Sequence, residues 1–209
     1  MPIGTPKVPV IRSGKTVFVT LFELLQKKRM LFLCRKIEFP LVNQLIGLIL
    51  FMEYNEIDPE NEDEDESNPC ISLLINSKGG GVLAAMALYD TMEFSRYSVS
   101  TMNLGLAASA ASLILVGGTI RTRLTFPHAR VLIHQPSTGY FCGSANEILV
   151  EAEEMRELRN EIAEIYAQNT GQPINVIQND LERDTFMSAK EAQDYHIIDR
   201  IAVPKNWKI

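Results

Sequence analysis

Short apolar runs alternate with longer amphipathic ones along this 209-residue chain, and the alternation predicts an α/β layered fold with much parallel pairing. Two further observations support that class. The runs MLFLC (30–34), ISLLI (71–75) and RVLIH (130–134) have the length of short buried strands. The stretches between them carry helical patterns, and neither an internal repeat nor a linker divides them, so a single domain spanning 1–209 is expected.

Taken in order, residues 1–16 read as an extended arm, with prolines at 2, 6 and 9 and then Ser13-Gly14. Val17–Lys28 suits a helix and Met30–Cys34 a strand. Pro40–Tyr54 is apolar on most faces, which predicts a mostly buried helix. Its stretch Leu41–Met52 is short for a membrane span and contains Asn43 and Gln44. An acidic surface insertion, 55–69, follows. Ile71–Ile75 is the next strand, NSKGGG (76–81) a turn, Val82–Phe94 a helix and Tyr97–Met102 a strand. Gly105 introduces a small-residue helix, GLAASAAS and onward, to about Val116. Arg130–His134 is a strand ended by Gln135-Pro136, and Ala145–Gln168 a long, charge-patterned helix. Pro173 opens another helix at a favoured first position. Ser188-Ala-Lys-Glu191 is a capping-box pattern starting a short helix to about Tyr195, and Ile197–Val203 closes as a strand.

Composition narrows the function classes. Apolar residues make up 46%, enough for a sizeable core. The net charge of −6 is local, because eight acids lie between Glu56 and Glu66 and without them the chain would carry about +2. Like charges repel and resist packing, so the block reads as a solvated loop, and it lacks the glycine-turned spacing of a calcium loop. An acidic pI near 5.2 and the lack of a basic stripe argue against nucleic acid. Cys34, Cys70 and Cys142 are scattered, with no CxxC, which predicts neither a disulfide framework nor a zinc site and fits a reducing compartment. The first residues hold no apolar core of signal-peptide length, and they are too short and Pro-rich for an amphipathic transit helix.

Three places carry candidate chemistry. Ser109 sits after a strand-like run and a glycine turn, at the first turn of the small-residue helix. That setting resembles a nucleophile elbow in kind, although GxSxG is absent, and it equally suits a helix cap or close packing. A serine nucleophile needs a base. Of the histidines His128, His134 and His196, His134 ends an apolar strand, where it is either a hydrogen-bonded packing residue or a base on a rigid element. Asp184, in ERD-TFMS, is by itself an ordinary turn aspartate, and spacing alone does not single it out as the acid that orients a base. The loop NSKGGG lets backbone N–H groups face a bound oxygen, or is simply a flexible turn. Its lysine precedes the glycines and no GK[ST] follows, so it is not a Walker loop.

In this order, INS-x-GG, GLAAS, FPHARVLIHQP and ERD-x-FMSA-x-EA resemble the proteolytic-subunit family of ATP-dependent Clp proteases (ClpP). The MPIG-x-P-K-V-P start looks like the chloroplast-encoded members from plants. The resemblance runs from about residue 1 to 203 and is weaker between 7 and 70. It implies a ClpP/crotonase-like fold of repeated ββα units, with an axial arm at 1–16 and a protruding handle helix from about Ala145. It implies Ser109 as nucleophile, His134 as general base, Asp184 as orienting acid, and the backbone N–H groups of Gly80 and Ala110 as oxyanion hole. It further implies two stacked seven-membered rings of family subunits, docked to a hexameric Clp ATPase chaperone and acting on polypeptides in the chloroplast stroma. No cofactor or metal is implied in this chain, since ATP is used by the chaperone. A histidine taking its proton implies a rate that falls toward acid, with a midpoint around neutrality.

Three positions depart from the family pattern. Lys78 stands where the family has proline and Gly81 where it has a bulky apolar residue, which predicts a looser loop. His196 stands where the family has a glycine; if that site needs a positive φ, histidine is tolerable there but mildly strained. Two other readings stand beside the active peptidase: a non-catalytic ring subunit of the same complex, and a crotonase-type acyl-CoA enzyme on the related fold. The latter has no need of a matched serine, histidine and aspartate.

Overall fold

In the computed structural model, residues 6–12, 15–54 and 70–203 are described. Strands β1 (Lys7–Arg12) and β2 (Lys15–Thr20) pair antiparallel from Lys7↔Thr20 to Arg12↔Lys15, apart from the main sheet. The helix expected from Val17 starts later, as α1 (Leu21–Lys27). Thr20 sets that start: its hydroxyl accepts the Glu23 N–H at 3.3 Å, and the Glu23 carboxylate accepts the Thr20 N–H at 3.1 Å. Val17 and Val19, β-branched, instead pair with Val10 and Val8. The expected arm is therefore a strand over Lys7–Arg12, and its first five residues lie outside the described ones, as does the acidic insertion.

Among the described residues the main sheet has seven strands. β3 (Met30–Leu33), β4 (Cys70–Ser77) and β5 (Ser98–Ala108) run parallel in that order, joined by α2 (Phe39–Tyr54) and α3 (Val82–Phe94). β5 then feeds two neighbours. Met102 and Asn103 pair with β6 (Leu124–Thr125), whose outer partner is β9 (Arg200–Ile201). Leu106–Ala108 pair instead with β7 (Arg130–Ile133), which pairs antiparallel with β8 (Thr185–Ser188). Asn103 stands where the sheet forks. It is fully buried, its amide donates to the Arg130 carbonyl at 3.0 Å, and its oxygen accepts the Gly105 N–H at 3.2 Å. One side chain thus supplies the partners that neither neighbouring strand provides.

Several sequence expectations change here. β5 runs to Ala108, so Gly105 lies within a strand and the helix α4 (Ala110–Val116) begins only after Ser109. The alanines of 107–111 favour helix locally, but pairing with β7 holds Ala107 and Ala108 extended. β6 and β8 are too short and mixed to read as strands. Asp184 therefore lies between a helix and a strand, and the closing strand is only Arg200–Ile201. α2 buries one stripe, Val42, Leu45, Ile49 and Met52, at helical spacing, while Leu50, Phe51 and Tyr54 remain exposed; it is half-covered in this chain. Pro173 caps rather than begins α6 (Ile174–Leu181).

The core joins α2, α3 and α4 to the sheet, and adds Ile162, Ala163 and Tyr166 from α5 (Ala145–Thr170). α5 has 26 residues, about 39 Å at 1.5 Å per residue, and its buried positions start only at Ile162. Residues 145–150 at its start are all exposed. α7 (Ala189–Asp194) starts with the expected capping box between Ser188 and Glu191. At its end the Ile197 N–H bonds Ala192 O and the His196 N–H bonds Gln193 O, a Schellman arrangement with His196 at φ 67°. The site does take a positive φ, the condition under which histidine is mildly strained there. Among the described residues no helix is long and apolar enough to cross a membrane. Cys34, Cys70 and Cys142 are exposed free thiols.

Candidate active site

Ser109 occupies the single residue between β5 and α4, at φ 57° and ψ −130°. A non-glycine residue there costs on the order of 1–3 kcal/mol and persists only where its surroundings enforce it. They do so on both sides. The Ser109 N–H donates to Leu132 O of β7 at 2.9 Å, continuing the β5–β7 ladder. The Ser109 carbonyl accepts the Ser112 N–H at 2.8 Å, starting the helix. Every residue of α4 is buried. The small residues answer a packing need: Ala107, Ala108, Ala110 and Ala111 are buried and allow the helix to turn directly off the sheet.

His134 is the residue after β7 and Asp184 the residue before β8. The antiparallel register ends at Ile133↔Thr185, so continuing it by one step sets His134 opposite Asp184. The parallel register pairs Ala108 with Leu132, which brings Ser109 alongside the other edge of β7. Three adjacent strand ends, about 4.8 Å apart, thus carry serine, histidine and aspartate in the order a proton relay requires. The turn bearing Asp184 is tied down: the Gln135 N–H donates to Leu181 O at 2.6 Å and the Thr185 hydroxyl donates to Asp180 O at 2.8 Å. Ser109 and His134 are half-buried and Asp184 is exposed. Among the described residues no hydrogen bond joins the three side chains, although the backbone order is present. Catalytic hydrogen bonds often tighten only when substrate or partner arrives.

Facing the elbow is the turn after β4. Ser77 Oγ donates to Arg35 O at 2.6 Å and accepts the Gly79 N–H at 3.1 Å. The Ile37 N–H donates to Gly79 O at 3.0 Å, and the Gly81 N–H to Ile37 O at 2.9 Å. These bonds hold the turn although Lys78 and Gly81 are present. The glycines divide into two kinds. At Gly79 (φ 90°) a Cβ would lie 2.6 Å from Ala108 O and 2.8 Å from the Ser109 Cβ, so only glycine lets the turn touch the elbow. Gly81 has an ordinary φ of −64° and room for a Cβ. Ile37 engages the backbone of residues 79 and 81, so the N–H of Gly80 points to the opposite edge. It and the N–H of Ala110, at the open start of α4, have no backbone partner among the described residues.

Of the sequence-derived candidates, Ser109, His134, Asp184, Gly80 and Ala110 therefore fall in one region. His128 and His196 are exposed, and neither ends a strand beside Ser109. Sequence reasoning missed Asn103 and a buried pair behind the elbow, Ser112 and Tyr166, whose hydroxyls lie 2.7 Å apart. A polar residue inside the apolar run AASLILV was the available signal.

A family model described as Clp protease matches residues 13–205. An ATP-dependent Clp protease proteolytic subunit of Vitis vinifera is 47% identical over 205 residues, covering 97% of this chain and 100% of that protein. The chloroplastic ATP-dependent Clp protease proteolytic subunit 1 of Arabidopsis thaliana is 46% identical over the same coverage. An ATP-dependent Clp protease proteolytic subunit of Marchantia polymorpha is 45% identical over 211 residues, 100% of this chain and 99% of that protein.

Proposed function

The chain belongs to the Clp protease family, and from that premise we propose that it is a serine-type endopeptidase subunit, with Ser109 as nucleophile, His134 as general base and Asp184 as orienting acid. The adjacency of the three strand ends carries this reading. His134 takes the Ser109 hydroxyl proton as Oγ attacks a peptide carbonyl. The N–H groups of Gly80 and Ala110 hold the oxyanion, and His134 passes the proton to the leaving amine. Water, deprotonated by His134, then attacks the acyl-enzyme, releasing the acid and restoring Ser109. Asp184 keeps the imidazole in the tautomer that presents its free nitrogen to Ser109. The chemistry needs no cofactor or metal in this chain.

The subunit works within two stacked seven-membered rings and receives unfolded polypeptides from a hexameric Clp ATPase, which consumes the ATP. The apolar uncovered face of α2 and the partly apolar start of α5, with Leu149 and Val150 two-thirds exposed, support burial against further subunits. The chloroplastic and plant relatives support a chloroplast location, and the stroma is its soluble compartment.

A non-catalytic ring subunit is the second reading, favoured by the lack of a hydrogen bond among the three side chains in the described residues. Fluorophosphonate labelling of the complex, purified through a tag on this chain, separates the two. Labelling at this chain's mass that disappears in Ser109→Ala supports the peptidase. A labelled neighbouring subunit beside an unlabelled Ser109 chain makes this subunit scaffold.

A further inference from the structure

Three residues beyond Ser109, the fully buried Ser112 sets its Oγ 2.6 Å from the Ser109 carbonyl oxygen, 2.8 Å from the Leu132 carbonyl oxygen and 2.7 Å from the Tyr166 hydroxyl. Proton counting decides who donates. Carbonyls only accept, and Ser112 has one proton to share between them. The proton in the contact with Tyr166 then comes from Tyr166. Burial pushes the Tyr166 phenol well above its ordinary pKa and the Ser112 hydrogen bond offsets only part of that, so the phenol keeps its proton.

The two carbonyls belong to the two segments that have to meet. Ser109 is the elbow itself, and Leu132 lies two residues before His134 on β7. Leu132 O also accepts the Ser109 N–H at 2.9 Å, so two donors hold β7 to the elbow at one oxygen. We infer that Ser112 and Tyr166 are positioning residues for the reaction: Tyr166 fixes the Ser112 hydroxyl, and Ser112 ties the nucleophile's backbone to the strand that presents the base. This rests on the roles proposed above for Ser109 and His134. It differs from ordinary core packing because the contacts are directed at the two backbone oxygens that set the distance between nucleophile and base.

The test uses Tyr166→Phe, which keeps the ring and removes only the hydroxyl, Ser112→Ala, and the double variant, each in the complex purified through a tag on this chain. Three quantities are read: the fluorophosphonate labelling rate of this chain per assembled complex, kcat and KM for a short peptide, and Tm. Misplacing a nucleophile by a fraction of an ångström predicts a labelling rate and kcat about tenfold lower in Ser112→Ala, with KM unchanged. Tyr166→Phe should lower both severalfold and add nothing further in the Ser112→Ala background. Variants that assemble, lose Tm and label at the wild-type rate would overturn the inference, as would full additivity of the two substitutions. If Ser112→Ala fails to assemble, Tyr166→Phe alone decides. Persistent labelling of Ser109→Ala, or none of the wild-type chain, refutes the proposed roles themselves and takes the inference with them.

Discussion

Gly79→Ala, paired with Gly81→Ala, probes whether close contact between the glycine turn and the elbow sets up the site. At Gly79 the new methyl meets a carbonyl oxygen at 2.6 Å and the Ser109 Cβ at 2.8 Å, and neither is the end of a flexible side chain. Relieving that overlap costs about 1–3 kcal/mol. Holding alanine at φ 90° adds about 1–3 kcal/mol. The sum, about 2–6 kcal/mol, corresponds to a Tm lower by about 5–20 °C at this chain length. The least costly relief is for the turn and Ser109 to move apart, which separates the Gly80 N–H from the nucleophile. The labelling rate should then fall on the order of 10²-fold, the cost of removing one oxyanion donor. At Gly81, the N-cap of α3, the methyl would find its nearest atoms at 3.7 and 3.8 Å and an ordinary φ, so the gain of about 0.4–1 kcal/mol from a stiffer unfolded chain is offset by alanine's poorer capping, and Gly81→Ala should stay within about 1 kcal/mol of wild type. Differential scanning fluorimetry and timed labelling of the complex give both quantities. If the two variants behaved alike, the contact between turn and elbow would not be what requires glycine.

Asp184→Asn should lower kcat by up to about 10⁴-fold with little change in KM, read by peptide hydrolysis, because the imidazole tautomer is lost while the geometry stays. Asp199 closes a structural ion pair: buried Arg123 donates to its carboxylate at 2.8 and 3.0 Å. Burial alone would raise the Asp199 pKa, but the Arg123 hydrogen bonds and charge outweigh it, leaving the carboxyl below its usual value. Its stabilisation is therefore full above the ordinary aspartate pKa, near 3.9, and disappears as pH falls through the lower folded value. Asp199→Asn should cost about 3–5 kcal/mol at pH 7, and its Tm should converge on wild type toward strongly acid pH. Ser188→Ala removes one half of the α7 capping box and should cost about 1 kcal/mol, visible as a Tm lower by about 2–4 °C with labelling unchanged.

Much of this molecule is legible where local rules suffice. The helix Val82–Phe94 ends where the sequence reading placed its ends, and the Ser188–Glu191 capping box forms as written, because caps and helical spacing are set by residues within a few positions of one another. The candidates Ser109, His134 and Asp184 were reachable from the order of their motifs. The strands β6 and β8 and the last residues of β5 were not. Leu124–Thr125 and Thr185–Ser188 are too short to show a period, and Leu106–Ala108 is made of good helix formers. What makes each a strand is a partner far along the chain: β5 for β6, β7 for β8 and for the end of β5.

The same division runs through the site. The family resemblance carried by the motifs in order singled out a serine, a histidine and an aspartate, where residue type and spacing alone had left each one open. Their neighbourhood depends on register, and a one-residue slip between β7 and β8 would send His134 and Asp184 to opposite faces. Only the folded sheet decides that register, since hydrogen bonds between strands more than 50 residues apart leave no local trace. The buried hydroxyls of Ser112 and Tyr166, 54 positions apart, belong to the same class. The composition of the helix pointed to its packing, and only the fold determined which carbonyls its one serine would hold.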